Sequence, residues 1–281
     1  MQIVSSTEEL QRLLNQWRAD GQSIGLVPTM GALHEGHLTL VRRSVAENDV
    51  TVVSVFVNPT QFNNKSDLEK YPRDLERDAA MLAWAGCTLV FAPSVDAMYS
   101  EEELNKPFYY DFEGLDQVME GRFRPGHFNG VVQVVSKLFR LVDPNSAYFG
   151  QKDFQQLAII RHMTRSMGFG LRIVECPIVR EASGLAMSSR NERLTPRQRE
   201  IAASISKVLF ESRTFVPEKS PSELRSWVEE QIDAVEGLRL EYFEIANSNT
   251  LQTAKSWNEP TVGCIAVFCG EVRLIDVIQC S

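Results

Sequence analysis

The chain has 281 residues, 43% of them hydrophobic and 23% charged, with a formal net charge of −8. That length and balance suit a globular protein with room for one large or two ordinary domains. The acidity argues against binding nucleic acid through a broad basic surface and leaves room only for a local basic pocket. No apolar run approaches the roughly 20 residues needed to cross a bilayer.

The start, MQIVSSTEELQ, lacks the basic residues and apolar stretch of a signal peptide. From about residue 22 to 175, strand-like and helix-like runs alternate. Residues 24–27 read as a strand and 38–46 as a helix, followed by the nearly continuous apolar strand 50–57. Leu68, Tyr71, Leu75, Ala79 and Leu82 form a helical stripe, expected to begin at Pro72. Strands at 88–91, 147–149 and 171–174 and helices at 128–142 and 154–167 complete the series. This pattern predicts a doubly wound, Rossmann-like α/β domain with a parallel sheet over residues 1–180. Helices at 196–212 and 222–236, then strands at 238–246, 262–268 and 272–278, predict a smaller α+β domain over 181–281 with antiparallel strands. The polar, glycine-containing residues 180–184 mark the expected boundary. Cys87, Cys176, Cys264, Cys269 and Cys280 are odd in number and scattered, which favours reduced thiols in a cytoplasm. Cys264 and Cys269 fall on opposite faces of one strand, which argues against a metal pair.

The most informative stretch is Pro28-Thr29-Met30-Gly31-Ala32-Leu33-His34-Glu35-Gly36-His37, on the turn from the first of these strands into a helix. Half of the four histidines lie in it. Backbone N–H groups and a helix N-terminus at such a turn suit an anion. The spacing Gly31-x4-Gly36 is that of a P-loop, but His37 and Leu38 stand where that motif needs Lys and Ser or Thr. The G-x-G-x-x-G of a dinucleotide site is absent too. What remains is H-x-G-H, whose imidazoles can donate to phosphate oxygens as charge builds in a transition state. A pair of capping or surface histidines is the plain alternative.

Three further clusters sit where ligands meet open α/β sheets or just beyond the boundary. In Asn58-Pro59-Thr60-Gln61-Phe62 the two amides suit a carboxylate or hydroxyl, against a simple Asn-Pro turn. In Gly150-Gln151-Lys152-Asp153-Phe154-Gln155-Gln156 a lysine stands at a helix start, where the macrodipole disfavours it unless a polyphosphate binds. Gln156 is placed to face the same site, and plain helix capping is the alternative. Met187-Ser188-Ser189-Arg190-Asn191 sets two hydroxyls beside a guanidinium, either an anion clamp or a polar loop. The basic loop Arg122-Phe123-Arg124-Pro125-Gly126-His127-Phe128 reads as a covering loop or a solvated turn, outside the catalytic set.

Together PTMGALHEGH (28–37), SVFVNPTQF (54–62), RPGHFNGV (124–131), FGQKDFQQL (149–157) and GLAMSSRN (184–191) resemble the pantoate–β-alanine ligases, members of the H-x-G-H nucleotidyltransferase superfamily, in order and spacing. From residue 195 the resemblance rests on length and pattern alone. It implies a cytoplasmic homodimer whose partners are small molecules, with no nucleic acid and no membrane. The implied reaction has two steps. The carboxylate of (R)-pantoate attacks the α-phosphate of ATP, releasing pyrophosphate and giving pantoyl adenylate; the amine of β-alanine then displaces AMP. Mg2+ would accompany ATP and neutralise its phosphates.

The resemblance also implies roles. Met30, Gly31, Ala32, Leu33, His34, Glu35, Gly36 and His37 would bind ATP, as would Gly150, Gln151, Lys152, Asp153, Val179, Met187, Ser188, Ser189 and Arg190. His37 would be the proton donor, with His34, Lys152 and Arg190 also catalytic. Gln61 would hold pantoate and lie near β-alanine, Gln156 would hold pantoate, and Asn58 would join them. The second domain would close over the nucleotide. Two positions depart from the family pattern: Gln151 where glutamate is usual, and Ser183 where aspartate often precedes Gly-Leu-Ala. An H-x-G-H adenylyltransferase that leaves the nucleotide on its product is the runner-up, but the pair Gln61 and Gln156 suits a small polar acid. A non-catalytic nucleotide binder of this fold would not need Lys152, Arg190 and both motif histidines.

Overall fold

The computed structural model describes residues 1–63 and 65–281. Its first part runs β1 (Gln2–Val4), α1 (Thr7–Ala19), β2 (Ile24–Thr29), α2 (Glu35–Glu47), β3 (Val50–Val55), α3 (Lys65–Glu69), α4 (Leu75–Trp84) and β4 (Leu89–Phe91). Short helices α5 (Val95–Met98), α6 (Glu101–Asn105) and α7 (Met119–Phe123) lead into α8 (His127–Val142), β5 (Ser146–Gly150), α9 (Phe154–Ser166) and β6 (Arg172–Cys176). All six strands pair in parallel, in the order β1-β4-β3-β2-β5-β6.

Successive residues of a strand face opposite sides, so the apolar run of β3 needs cover on both. Leu26 and Val52 enter the layer with α1, α8 and α9, while Val27 and Val53 enter the layer with α2 and α4. The expected stripe from Leu68 to Leu82, entered at Pro72, is instead divided between α3, which ends before the proline, and α4, which starts after it. Asp74 takes the N-cap of α4, its side chain accepting from the Arg77 N–H, so the cap rather than the proline sets the start. The pair β1 and α1 extends the sheet beyond the alternation seen in sequence, with β1 on β4 at the edge.

The order reverses between β2 and β5: β3, β4 and β1 lie to one side, β6 to the other. Loops leaving the carboxyl ends of β2 and β5 therefore diverge and open a crevice. One wall is α8, which lies against the turn Pro59–Gln61 only because residue 130 is glycine; a Cβ there would sit 2.3 Å from the Thr60 carbonyl oxygen. Glycine inside a helix costs about 1 kcal/mol relative to alanine, which this close approach offsets.

The rest comprises α10 (Pro196–Arg213), α11 (Pro221–Asp233) and an antiparallel sheet β7 (Leu238–Asn247), β8 (Thr261–Cys269) and β9 (Val272–Gln279), in the order β7-β8-β9. Both helices start with a proline in the first turn and a reciprocal capping box, Thr195 with Gln198 and Ser220 with Glu223. Cys264 and Cys269 do face opposite sides of β8. Cys269 packs under α10 and α11, whereas Cys264 joins Met119, Phe154 and Val277 in the core between the two parts of the chain. All five cysteines are free and buried. Strand β9 lies against the turn Gln151–Asp153, and its Asp276 receives Arg180 in two bonds of 2.6 and 2.9 Å. The smaller sheet thereby packs on the loop after β5 and is tied by an ion pair to the segment after β6.

Candidate active site

The turn after β2 is shaped by hydrogen bonds from afar. Ala32 has a left-handed backbone (φ 50°), and the N–H groups of Ala32 and Leu33 both donate to the buried Asp78 carboxylate of α4, at 2.9 and 2.8 Å. These two N–H groups are therefore engaged by the protein. The next residues cap α2 with imidazoles. His34 Nδ1 accepts from the Gly36 N–H at 3.1 Å, and His37 Nδ1 accepts from the His34 N–H at 3.3 Å. An Nδ1 that accepts must be unprotonated, so each neutral ring carries its proton on Nε2. Burial, then the charges of His37 and Lys152, lower the His34 pKa to about 3. Burial and Lys152 lower that of His37 to about 4. At neutral pH the turn thus offers two uncharged N–H donors beside a helix N-terminus. Capping, the plain alternative in the sequence, is what both Nδ1 atoms do here, and it leaves each Nε2–H outside the cap.

A cavity of about 210 Å³ opens from this turn. Met30, His34, Gly36, His37, Asn58 and Gln61 line it, as do Gly150, Lys152, Asp153, Gln156, Val179 and Met187. Much of its remaining wall is apolar, with Phe56, Val131, Val135 and Leu138. Gln156 has no side-chain partner among the described residues, and Gln61 donates only to the sulfur of Met30, at 2.9 Å. Asn58 differs from expectation. Its Nδ2 donates to the Gly130 carbonyl and to Gln61 Oε1, and its Oδ1 accepts from Tyr99 and Thr60. With its hydrogen-bonding capacity filled by the protein, Asn58 orients Gln61 and has no group left for a ligand. His127 supports the same turn through a 2.7 Å bond from Nδ1–H to the Gln61 carbonyl.

Lys152 and Asp153 also line a second cavity of about 440 Å³, together with Ser188, Arg190 and Arg193. Lys152 sits in the short turn before α9, its Nζ 3.4 Å from Asp153. Arg190 and Arg193 share Asp67, at 2.8 and 3.0 Å. The expected nucleotide residues are thus divided between two adjoining spaces. Gly31, Ala32, Leu33, Glu35, Gln151 and Ser189 line neither. Glu35 instead pairs with Arg42 on the outer side of α2, and Ser189 donates to the Ala32 carbonyl at 2.9 Å, tying the Ser-Ser-Arg loop to the histidine turn.

The family model for pantoate-beta-alanine ligase matches residues 2–279. A pantothenate synthetase of Bacteroides fragilis (strain YCH46) is 59% identical over 281 residues, 99% of each chain. The chain belongs to the pantoate–β-alanine ligase family. The crystal structure of pantothenate synthetase from Thermus thermophilus matches with a TM-score of 0.92 at 43% identity, covering 100% of this chain and 99% of that one. The pantoate–β-alanine ligase of Francisella tularensis, solved with beta-gamma ATP and beta-alanine, gives 0.81 at 34% identity over 99% and 97%. As a member of this family the chain is a ligase that joins pantoate to β-alanine.

For a pantoate–β-alanine ligase, several residues at the site escaped the sequence reading. Asp78 was hidden in the apolar stripe of α4, where an acid among Leu75, Ala79 and Leu82 is the one available sign of a buried carboxylate. Asp67 carries no local pattern, and neither the helical stripe holding Tyr71 nor the basic loop holding His127 points to their partners, since each acts on a segment distant in sequence. Of the two family departures, Gln151 lines neither cavity, and Ser183 accepts from the Leu185 N–H in a surface turn.

Proposed function

We propose that this ligase forms pantothenate through pantoyl adenylate, with chemistry centred where the two cavities meet at Lys152. The observation that carries this reading is the junction itself. A largely apolar pocket bearing Gln61, Gln156 and the two motif imidazoles adjoins a strongly charged one, and the Lys152 ammonium lines both.

Pantoate lies in the first cavity, its hydroxyls and carboxylate held by Gln61 and Gln156. The adenosine follows Val179 and Met187, and the β- and γ-phosphates extend into the second cavity toward Ser188 and Arg190. A carboxylate oxygen of pantoate then bonds to the α-phosphorus as the bond to the bridging oxygen breaks. His34 and His37 donate to the α-phosphate oxygens and Lys152 offsets their charge; loss of one such donor typically costs 10²–10³-fold in rate. The arriving triphosphate opposes the effect of Lys152 and raises both imidazole pKa values, so that His37 can supply a proton to the departing group. In the second step the amine of β-alanine attacks the acyl carbon and AMP leaves. Closure of the smaller sheet over the nucleotide would keep water from the adenylate.

Among the described residues no three His, Cys, Asp or Glu side chains are grouped to hold a metal. The donor set fits a Mg2+ ion held mainly by phosphate oxygens and water, with Asp153, the carboxylate common to both cavities, as its protein ligand. Such an ion neutralises phosphate charge. The reading includes a homodimer, which sedimentation measures. It also includes a cytoplasmic setting, supported by five free cysteines and by described helices none of which is long and apolar enough to cross a membrane.

Pyrophosphate release from ATP tests the reaction. With pantoate alone, one equivalent per site is expected, and with β-alanine added, continuous turnover. Release that does not depend on pantoate would end the ligase reading.

A further inference from the structure

Once adenosine and α-phosphate are placed as above, the β- and γ-phosphates need cations that the assigned residues supply only in part. Arg190 shares Asp67 with Arg193, and Lys152 stands beside Asp153, so much of their charge already has a partner. The second cavity is also lined by Arg124, in the basic loop before α8.

Its surroundings set Arg124 apart. Glu120 holds Arg273 through two bonds of 2.8 and 2.7 Å and accepts from the Tyr242 hydroxyl at 2.8 Å. Arg124 reaches the same carboxylate only at 3.4 Å, through Nη1. Its Nε and Nη2 have no partner among the described residues, although its side chain is only 24% exposed. Burial works against its charge, Glu120 favours it, and Arg190 and Arg273 oppose it further. A guanidinium stays protonated under such conditions and seeks an anion. The backbone fixes it in place: Gly126 starts α8 in a left-handed conformation, and the Arg124 N–H donates to the Glu120 carbonyl at 2.8 Å.

We propose that Arg124 is a phosphate-binding residue of the first half-reaction, its guanidinium holding the β- and γ-phosphates of ATP and then the departing pyrophosphate, with Glu120 as the positioning residue behind it. The proposal rests on the ligase reading. As the bond between the α-phosphorus and the bridging oxygen breaks, its electron pair stays with pyrophosphate, and a bidentate guanidinium is suited to that growing charge. Pantoyl adenylate has no β- or γ-phosphate, so the second half-reaction gains nothing from Arg124.

That asymmetry supplies the test, made on the full-length enzyme with Arg124→Met and Arg124→Lys. Three quantities are measured: single-turnover pyrophosphate release from ATP and pantoate, pantothenate formation from preformed pantoyl adenylate and β-alanine, and pyrophosphate affinity by calorimetry. Arg124→Met should slow the first about 100-fold. It should also weaken pyrophosphate binding at least about tenfold and leave the second half-reaction within about twofold, as expected for loss of a charge-assisted clamp. Arg124→Lys keeps the charge without the fork and should fall between; it carries the same test if the methionine variant does not fold. Equal loss in both half-reactions means a structural role and overturns the proposal, as does an unchanged first half-reaction. Wild-type enzyme run alongside separates the two levels, because absence of pantoate-dependent pyrophosphate release there defeats the ligase reading itself.

Discussion

Replacing Gly36 with alanine should disable the histidine turn without removing any group assigned to chemistry. A Cβ at residue 36 would lie 2.8 Å from His34 Cε1 and 2.9 Å from Nδ1, so the ring must retreat by about 0.6 Å to reach ordinary contact at 3.4 Å. The bond from the Gly36 N–H to Nδ1, now 3.1 Å, lengthens or breaks. Losing it costs about 0.5–1.5 kcal/mol, while alanine gains up to about 1 kcal/mol over glycine in a helix. These contributions nearly cancel, so the melting temperature should stay within a few degrees of wild type. Activity should not: a 1 Å misplacement of a group that meets the transition state costs on the order of 100-fold, so a shift of about 0.6 Å should cost at least about tenfold. Single-turnover pyrophosphate release with ATP and pantoate, paired with thermal unfolding, measures both. His34→Ala/Gly36→Ala should be no slower than His34→Ala alone, because the methyl acts through that ring. A Gly36→Ala enzyme with the full wild-type rate would refute the assignment of His34 to the α-phosphate.

Lys152→Ala should slow adenylate formation by about 100-fold or more in the same assay, and near-wild-type kinetics would remove Lys152 from the chemistry. Stability should fall as pH drops below 6.5. The unfolded chain takes up protons there, whereas His34, His37 and His127 stay neutral in the fold down to about 3, 4 and 3. Each contributes up to about 1.4 kcal/mol per pH unit in that window. Below pH 4.5 Glu120, held at about 2 by Arg273 against the effect of burial, adds a loss of the same sign. A melting temperature flat from pH 7 to 5 would contradict buried neutral histidines. Glu120→Gln leaves Arg273 without its main partner and should cost about 3 kcal/mol in chemical denaturation; a change under about 0.5 kcal/mol would show that the network does not hold the two parts of the chain together.

Much of the scaffold could be read from local pattern because local physics decides it. The apolar runs of β2 and β3 require cover on both faces, and Thr195 and Ser220 begin their helices by bonds within four residues. The site was legible only where one segment carries both partners, as in the histidine turn. Asp78 meets Ala32 across 46 residues and Arg190 meets Asp67 across 123, separations at which no periodicity operates. Asn58 marks a different limit. Its residue type discloses two donors and two acceptors, but only the fold reveals that Gly130, Gln61, Tyr99 and Thr60 take them.

The histidine turn also explains why a plain capping box would not serve there. Thr195 with Gln198 and Ser220 with Glu223 close their helix starts with hydroxyl, amide and carboxylate groups. His34 and His37 close α2 in the same reciprocal way through Nδ1, His34 accepting from the Gly36 N–H and His37 from the His34 N–H, and an imidazole has a second nitrogen on its far side. Using Nδ1 as the acceptor fixes the tautomer, so Nε2–H is left as an oriented donor that needs no positive charge to act. Burial and Lys152 keep both rings neutral while the site is empty. Serine with glutamate would cap α2 equally well and present no N–H to a phosphate. Such a double replacement should therefore keep the helix and lose the reaction, which circular dichroism and pyrophosphate release together would show.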